Sequence, residues 1–495
     1  MTPRAAGLLL HPTSLPGSFG VGDFGPEAER FLDWAASAGQ SLWQILPLSP
    51  TGSFDSPYGG ISAFAGNPLL ISPERMVEEG LLEPEELTRA PRFSPDAVNF
   101  GYVRAWKESL LRGSWSRFER APRAASVELE AFRQSPRQAV WLADWSLYRA
   151  LAEKLAPDPW NRWPPELARR EPDALAAARE ELSEPIAYYE YVQWLFFRQW
   201  DLVRKAAQRR GIAIIGDVPI YVSHESADVW SHSRQFELDA NGDPEMVAGV
   251  PPDAFSETGQ LWGYPLYRWD IMKEDGYSWW IERLACASTA ADLLRIDHFR
   301  GFESYWAVPG FATDARSGAW RPGPGGSFFR AVHAALKDLR LIAEDLGVIT
   351  EEVTRLREAA GIPGMKVLQF AFSEDDSPHA PHHHVADAVV YTGTHDNDTA
   401  HGWYAALSPE ERSRLGEYLG GDGFQIEWDL IRAAYASVAD RAVVPLQDVF
   451  GLGSEARMNT PAKAHGNWAW RARREDFTPE RAERLKRLAT LTGRT

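Results

Sequence analysis

The sequence predicts an α/β chain folded as a (β/α)8 TIM barrel, with helical and loop-rich insertions on its catalytic face. Three observations carry that expectation. Eight short Leu-, Ile- and Val-rich runs recur along the 495 residues, and several are near-continuously apolar, as in Ile212-Ala213-Ile214-Ile215. Such runs suit parallel strands buried on both faces. Helical patterns precede several runs, and acidic or polar residues stand at the ends of several of them, as barrel chemistry requires. No GxGxxG and no P-loop follows any run, which argues against a doubly wound open sheet.

In chain order, strands are expected at 7–10, 42–46, 212–217, 293–297, 341–344, 367–370, 389–392 and 443–445. From Tyr188 to Arg210, apolar residues recur at helical spacing, and Gly211 follows as a stop signal directly before a strand. The spacing of the strands is uneven. A mostly helical insertion is expected at about 50–200, with helices over 95–118, 126–156 and 165–182. A loop-rich one is expected at about 223–290, where it shapes the active-site face. Both follow the C-terminal ends of strands, the catalytic side of a barrel. Residues 1–495 are thus expected to form a single catalytic barrel with two insertion subdomains.

Composition narrows the partners. The formal net charge is -17, with 69 acidic against 52 basic side chains, which disfavours nucleic acid and anionic membrane as partners. A single cysteine, Cys286, allows no intrachain disulfide and no CxxC metal site, and it reads as a small buried hydrophobe. The apolar run Leu8 to Leu10 is too short for a signal-peptide core, so a cytoplasmic protein is expected. The 21 Trp and 15 Tyr fit either a large core or a surface that stacks on sugar rings.

Three strand ends offer carboxylates: Asp297, Glu344 and Asp396. Retaining glycosyl transfer needs two carboxyl groups about 5–5.5 Å apart, one to attack the anomeric carbon and one to protonate the leaving oxygen. Singly, each is better explained as a helix cap or a loop salt bridge. His379 and His382-His383-His384 lie in a Pro-containing loop and lack spacing that would fix a coordination shell.

Here the sequence resembles a known family. Leu294-Arg295-Ile296-Asp297-His298-Phe299-Arg300 is similar to the nucleophile strand of the α-amylase superfamily, and Thr394-His395-Asp396-Asn397 to its HD motif. His11-Pro12-Thr13-Ser14-Leu15-Pro16, Asp55-Ser56-Pro57-Tyr58, Gly216-Asp217-Val218-Pro219, Gly249-Val250-Pro251-Pro252-Asp253, Ala343-Glu344-Asp345-Leu346-Gly347 and Arg457-Met458-Asn459-Thr460-Pro461 resemble glycoside hydrolase family 77, the amylomaltases or 4-α-glucanotransferases. These motifs run in consistent order along nearly the whole chain.

The resemblance implies α-1,4-glucans such as maltooligosaccharides, amylose or glycogen as partners. It implies a covalent glucosyl-enzyme on Asp297, Glu344 as general acid/base and Asp396 as a stabiliser of the donor ring. No metal or organic cofactor is needed. Asp345 competes with Glu344 from sequence alone, but successive strand residues face opposite ways and the family pattern selects Glu344. Arg295 is expected to keep Asp297 ionised, and neighbouring carboxylates to keep Glu344 protonated. His395, His298, Ser56 and Asn397 are expected around the donor sugar, with Tyr58 as its stacking platform. Asp217 either supports that end of the site or only shapes it. Gln260 and Trp262, in a flexible segment from Gly249 to Tyr267, are expected to reach the acceptor; for Trp262 the alternative is a core residue that anchors the segment. A monomer or weak homo-oligomer is expected. An α-amylase-like hydrolase and a non-catalytic glucan binder are the rival functions.

Overall fold

The computed structural model describes residues 4–52, 54–118, 123–252, 256–372, 376–421 and 423–495. Eight parallel strands form the central sheet: β1 Ala5–Leu9, β2 Leu42–Gln44, β3 Ala213–Val218, β4 Leu293–Ile296, β5 Leu341–Ala343, β6 Gly364–Val367, β7 Ala388–Tyr391 and β8 Arg441–Pro445. Their order is β6-β7-β8-β1-β2-β3-β4-β5. The seam between β5 and β6 is joined by the Ala343 amide, which donates to the Pro363 carbonyl (2.9 Å). The sheet is therefore nearly closed as a barrel.

Alternation along each strand sorts the core into two compartments. Leu9, Leu42, Ile215, Leu293, Ile342, Val367, Val389 and Val443 pack together inside the barrel. Their strand neighbours Leu8, Trp43, Ile214, Leu294, Ala343, Val390 and Val444 pack outward against the helices. Side chains two residues on from an inner residue also face inward. That rule sends Asp217, Arg295, Asp297 and Glu344 to the interior at its C-terminal mouth.

Three expected elements differ from the observed ones. The sixth strand is Gly364–Val367, and Leu368–Phe370, expected as its continuation, is a 3-10 turn. The expected helix over 126–156 breaks at Ser135-Pro136 into Arg123–Gln134, Pro136–Ala139 and Leu142–Leu155, because Pro136 has no amide to continue the ladder. The expected helix over 165–182 divides into Pro165–Ala168 and Pro172–Glu181, again at a proline.

The long helix Ser183–Arg209 pins the segment that follows β2. The buried Gln193 amide accepts from the Gly66 N–H (2.7 Å) and donates to its carbonyl (3.0 Å), and Gln199 clamps Ser72 in the same way. Gly66 is required there, since a Cβ would lie 2.0 Å from the Phe196 ring.

The stretch read as loop-rich carries regular structure. Met246–Val250 and Gln260–Pro265 join Ser304–Pro309 and Ala319–Pro322 in a four-stranded antiparallel sheet. The last two strands lie beyond β4, so the sheet is assembled from both sides of that strand. Asp253 to Phe255 lie outside the described residues.

Candidate active site

Register brings the carboxylates together. Across β3 and β4, Asp217 pairs with Arg295. Across β4 and β5, Ile296 pairs with Ala343, so Asp297 and Glu344 are the next pair beyond the ladder. Neighbouring strands stand about 4.8 Å apart, so these two side chains leave the barrel mouth side by side. The Glu344 amide continues the ladder by donating to the Ile296 carbonyl (3.0 Å).

Arg295 is the hub of the inner layer. One nitrogen, Nη1, donates to both oxygens of Asp217 (2.8 Å each), and Nη2 pairs with Oδ1 of Asp297 at 2.9 Å. The guanidinium is buried. Burial works against its charge, but Asp217, Asp297, Tyr58 and Glu344 together hold its pKa well above the ordinary value. Exposure separates the two aspartates: the Asp217 side chain is 0 % exposed, whereas that of Asp297 is 27 % exposed. Asp217 also accepts from the Tyr58 hydroxyl (2.6 Å). Asp217 is thus spent on Arg295 and Tyr58, and Asp297 is the carboxylate that faces the open site.

Glu344 is held differently. Oε2 accepts from the His298 amide (2.7 Å) and Oε1 from the Leu346 amide (2.9 Å). His298 presents that amide from a left-handed conformation, φ 49°. Burial first, and then the Asp297 charge, push the Glu344 carboxyl up to about 8, against Arg295 and the two amides. The neighbouring carboxylate thus acts in the expected direction, with desolvation the larger cause. Asp345 faces outward and is spent on the frame: it accepts from the Met365 amide (2.7 Å) and pairs with Arg357 (3.1 Å).

Asp396 sits after β7 with its side chain 45 % exposed. Its Oδ1 accepts from Asn459 Nδ2 (2.5 Å), and its carbonyl accepts from Arg457 Nη2 (2.6 Å). His395 is buried, with Nε2 3.4 Å from Asp396 Oδ2. Tyr58 stacks on His395 at 5.1 Å with rings 14° apart, and Trp468 packs against both. One face of Tyr58 is thus taken by His395 and its hydroxyl by Asp217. Asn397 Oδ1 accepts from the Thr394 amide and hydroxyl (2.9 Å each), and Ser56 Oγ accepts from the Tyr58 amide (3.2 Å). Both shape the turns that present their neighbours.

The antiparallel sheet reaches the same mouth. Trp262, half-buried, packs edge-on against His298 (4.8 Å, 82°), and its indole N–H donates to Gln260 Oε1 (3.2 Å). Burial drives the His298 ring down to about 4, so it is neutral near pH 7. Burial and the Asp297 charge push the Tyr264 hydroxyl up to about 12, which places this residue in the field of the site. Four residues of the site go unread in the sequence: Arg457, Asn459, Tyr264 and Trp468. Arg457 and Asn459 stand in a motif that is visible in the chain, but only folding shows that they hold Asp396.

The loop histidines hold their own segment: His384 lies between Ser437 Oγ (2.6 Å) and the His379 carbonyl (2.8 Å), and His379 Nδ1 accepts from the Val367 amide (3.2 Å).

Comparison with known proteins agrees with this geometry. A family model described as 4-alpha-glucanotransferase, of glycoside hydrolase family 77, matches residues 10–476. A 4-alpha-glucanotransferase of Thermus thermophilus is 48% identical over 99% of both chains. A chloroplastic/amyloplastic 4-alpha-glucanotransferase of Arabidopsis thaliana is 46% identical over 99% of this chain and 86% of its own. Among solved structures, amylomaltase from Streptococcus agalactiae in complex with acarbose superposes with a TM-score of 0.96, at 38% identity and 99% coverage of both chains. The chain belongs to the 4-alpha-glucanotransferase family.

Proposed function

From that membership we propose that the chain transfers α-1,4-glucan segments with retention, using Asp297 as nucleophile, Glu344 as acid/base and Asp396 as stabiliser of the donor ring. The observation that carries the assignment is the opposite treatment of two adjacent carboxyls. Arg295 holds Oδ1 of Asp297, and Oδ2 is the oxygen presented to the anomeric carbon. Glu344, pushed up to about 8, carries a proton near neutral pH and gives it to the leaving 4-oxygen. The bond from C1 to that oxygen breaks as the bond to Asp297 forms, and a β-glucosyl ester results. The 4-hydroxyl of an acceptor glucan then attacks C1, Glu344 takes its proton, and the bond from C1 to Asp297 breaks to free the carboxylate. Two inversions give overall retention.

Asp396, open on one side and held by Asn459 on the other, is suited to bind donor hydroxyls as positive charge develops on the ring. His395 supports it. Gln260 and Trp262 bring the acceptor, and the antiparallel sheet favours transfer over hydrolysis by excluding water from the ester. The substrates in this reading are maltooligosaccharides, amylose or glycogen. We place the enzyme in the cytoplasm as a monomer or weak homo-oligomer, in keeping with its single cysteine and net charge of -17. Among the described residues no helix is long and apolar enough to cross a membrane.

Incubation with maltotriose tests the reading. Transfer gives glucose together with a ladder of longer chains. Products no longer than the substrate would identify a hydrolase instead.

A further inference from the structure

The segment 392–400 runs from the end of β7 to the helix Ala400–Ala406 and carries His395, Asp396 and Asn397. It is not packed solidly on every side: a cavity of about 30 Å³ borders it, lined in part by His11, His395, Asn397, Asp448 and Arg457. That is room for about two waters. Hydrogen bonds, more than close packing, therefore decide where the segment sits.

Those bonds come largely from the stretch that follows β8. Ser454 Oγ donates to Asp398 Oδ2 (2.7 Å), and Arg457 and Asn459 hold the Asp396 carbonyl and carboxylate. These three grip the middle of the segment. Asp448, on the helix Leu446–Phe450, grips both ends. Its Oδ2 accepts from the Thr392 hydroxyl (2.6 Å) and its Oδ1 from the Ala400 amide (2.7 Å). Thr392 and Ala400 are fully buried, and Asp448 is only 1 % exposed, so it meets no glucan itself. Burial pushes its carboxyl up to about 6, against both hydrogen bonds. Glu427 raises it further, and His401, paired with Glu427 at 2.9 Å, acts the other way. A buried carboxyl is costly to keep, and what it sustains here is one staple across the base of the Asp396 segment.

We propose that Asp448 is a positioning residue for glucan transfer: by fastening Thr392 and Ala400 it fixes the segment between them, and so sets where Asp396 meets the donor ring. This role rests on the reading of Asp396 as stabiliser of that ring. A group displaced by about 1 Å loses on the order of 10²-fold in rate when its interaction is made in the transition state.

Fluoride release from α-maltotriosyl fluoride, with kcat and KM separated, tests this role in a double-mutant cycle on the whole chain. Asp448→Ala is expected to lower kcat about 10²-fold and to change KM far less. Asp448→Asn recovers most of that loss, because its amide still accepts from the Ala400 N–H and donates to the Thr392 hydroxyl oxygen. In an Asp396→Asn background, Asp448→Ala costs less than about threefold, since the carboxylate it positions is already gone. Partial unfolding, by contrast, removes the same fraction of active enzyme in both backgrounds. If Asp448→Ala does not fold, Thr392→Val removes one of the two bonds from the other partner and runs through the same cycle. Equal losses in the two backgrounds, a kcat of Asp448→Ala near that of the wild type, or an Asp448→Asn as slow as Asp448→Ala would each overturn the proposal. Failure of the reading beneath it looks different: Asp396→Asn alone would release fluoride at the wild-type rate, and the role of Asp448 would fall with it.

Discussion

The ends of β4 and β5 stand side by side in one barrel, yet they treat their carboxyl groups in opposite ways. At the end of β4, Asp297 meets a buried guanidinium that is itself anchored on Asp217. At the end of β5, Glu344 meets two backbone amides and a desolvating wall, and its carboxyl rises to about 8. The strand positions are equivalent. What differs is the partner that each carboxyl receives, and in the proposed reaction that difference divides the labour between nucleophile and acid.

Removing the acid breaks the comparison most severely. Glu344→Gln is expected to lower the transfer rate on maltotriose by about 10²–10⁴-fold, the range for a general acid/base. It also has a stability signature. The folded pKa of about 8 lies above the ordinary 4.5, so the folded state holds the extra proton and loses stability as pH rises between those values. The gain in melting temperature on Glu344→Gln is therefore expected to be larger at pH 8 than at pH 5. The wild-type kcat/KM is expected to fall as pH rises through about 8.

Asp217→Asn sharpens the other side. It breaks a fully buried ion pair, a change that costs about 3–5 kcal/mol in chemical denaturation. Because Asp217 touches Arg295 and Tyr58 rather than the open site, the variant is expected to lose kcat more than KM. The smallest effect belongs to the antiparallel sheet. Trp262→Ala is expected to raise the share of hydrolysis over transfer a few-fold, read as new reducing ends against chain-lengthened products, since it opens the His298 side of the mouth to water.

Much of this arrangement is legible in the chain. The barrel strands are buried on both faces, so they show as continuous apolar runs, and the residue just beyond each run falls at the mouth. Asp297 and Glu344 are read correctly as strand-end residues for that reason. Val367–Phe370 misleads because the run is apolar, while the actual strand contains Gly364 and Lys366. The antiparallel sheet is hidden for a different reason. Gln260–Pro265 alternates between half-buried and exposed positions and contains Gly263 and Pro265, so its pattern looks like a loop. Its ladder partner, Met246–Val250, is local, but the two strands that complete the sheet lie beyond β4, where no local pattern points back to it. Asn459 is 63 residues from Asp396, and nothing short of the folded chain joins them.

The central claim is that Asp297 carries the glucosyl group. Glu344→Gln supplied with α-maltotriosyl fluoride isolates that step, because fluoride leaves with little help from an acid, whereas release of the ester needs the missing base. After acid quenching and proteolysis, the maltotriosyl mass is expected on the peptide that contains Asp297. The same mass on a peptide containing Asp217 or Asp396, or on none at all while fluoride is released, would contradict the account.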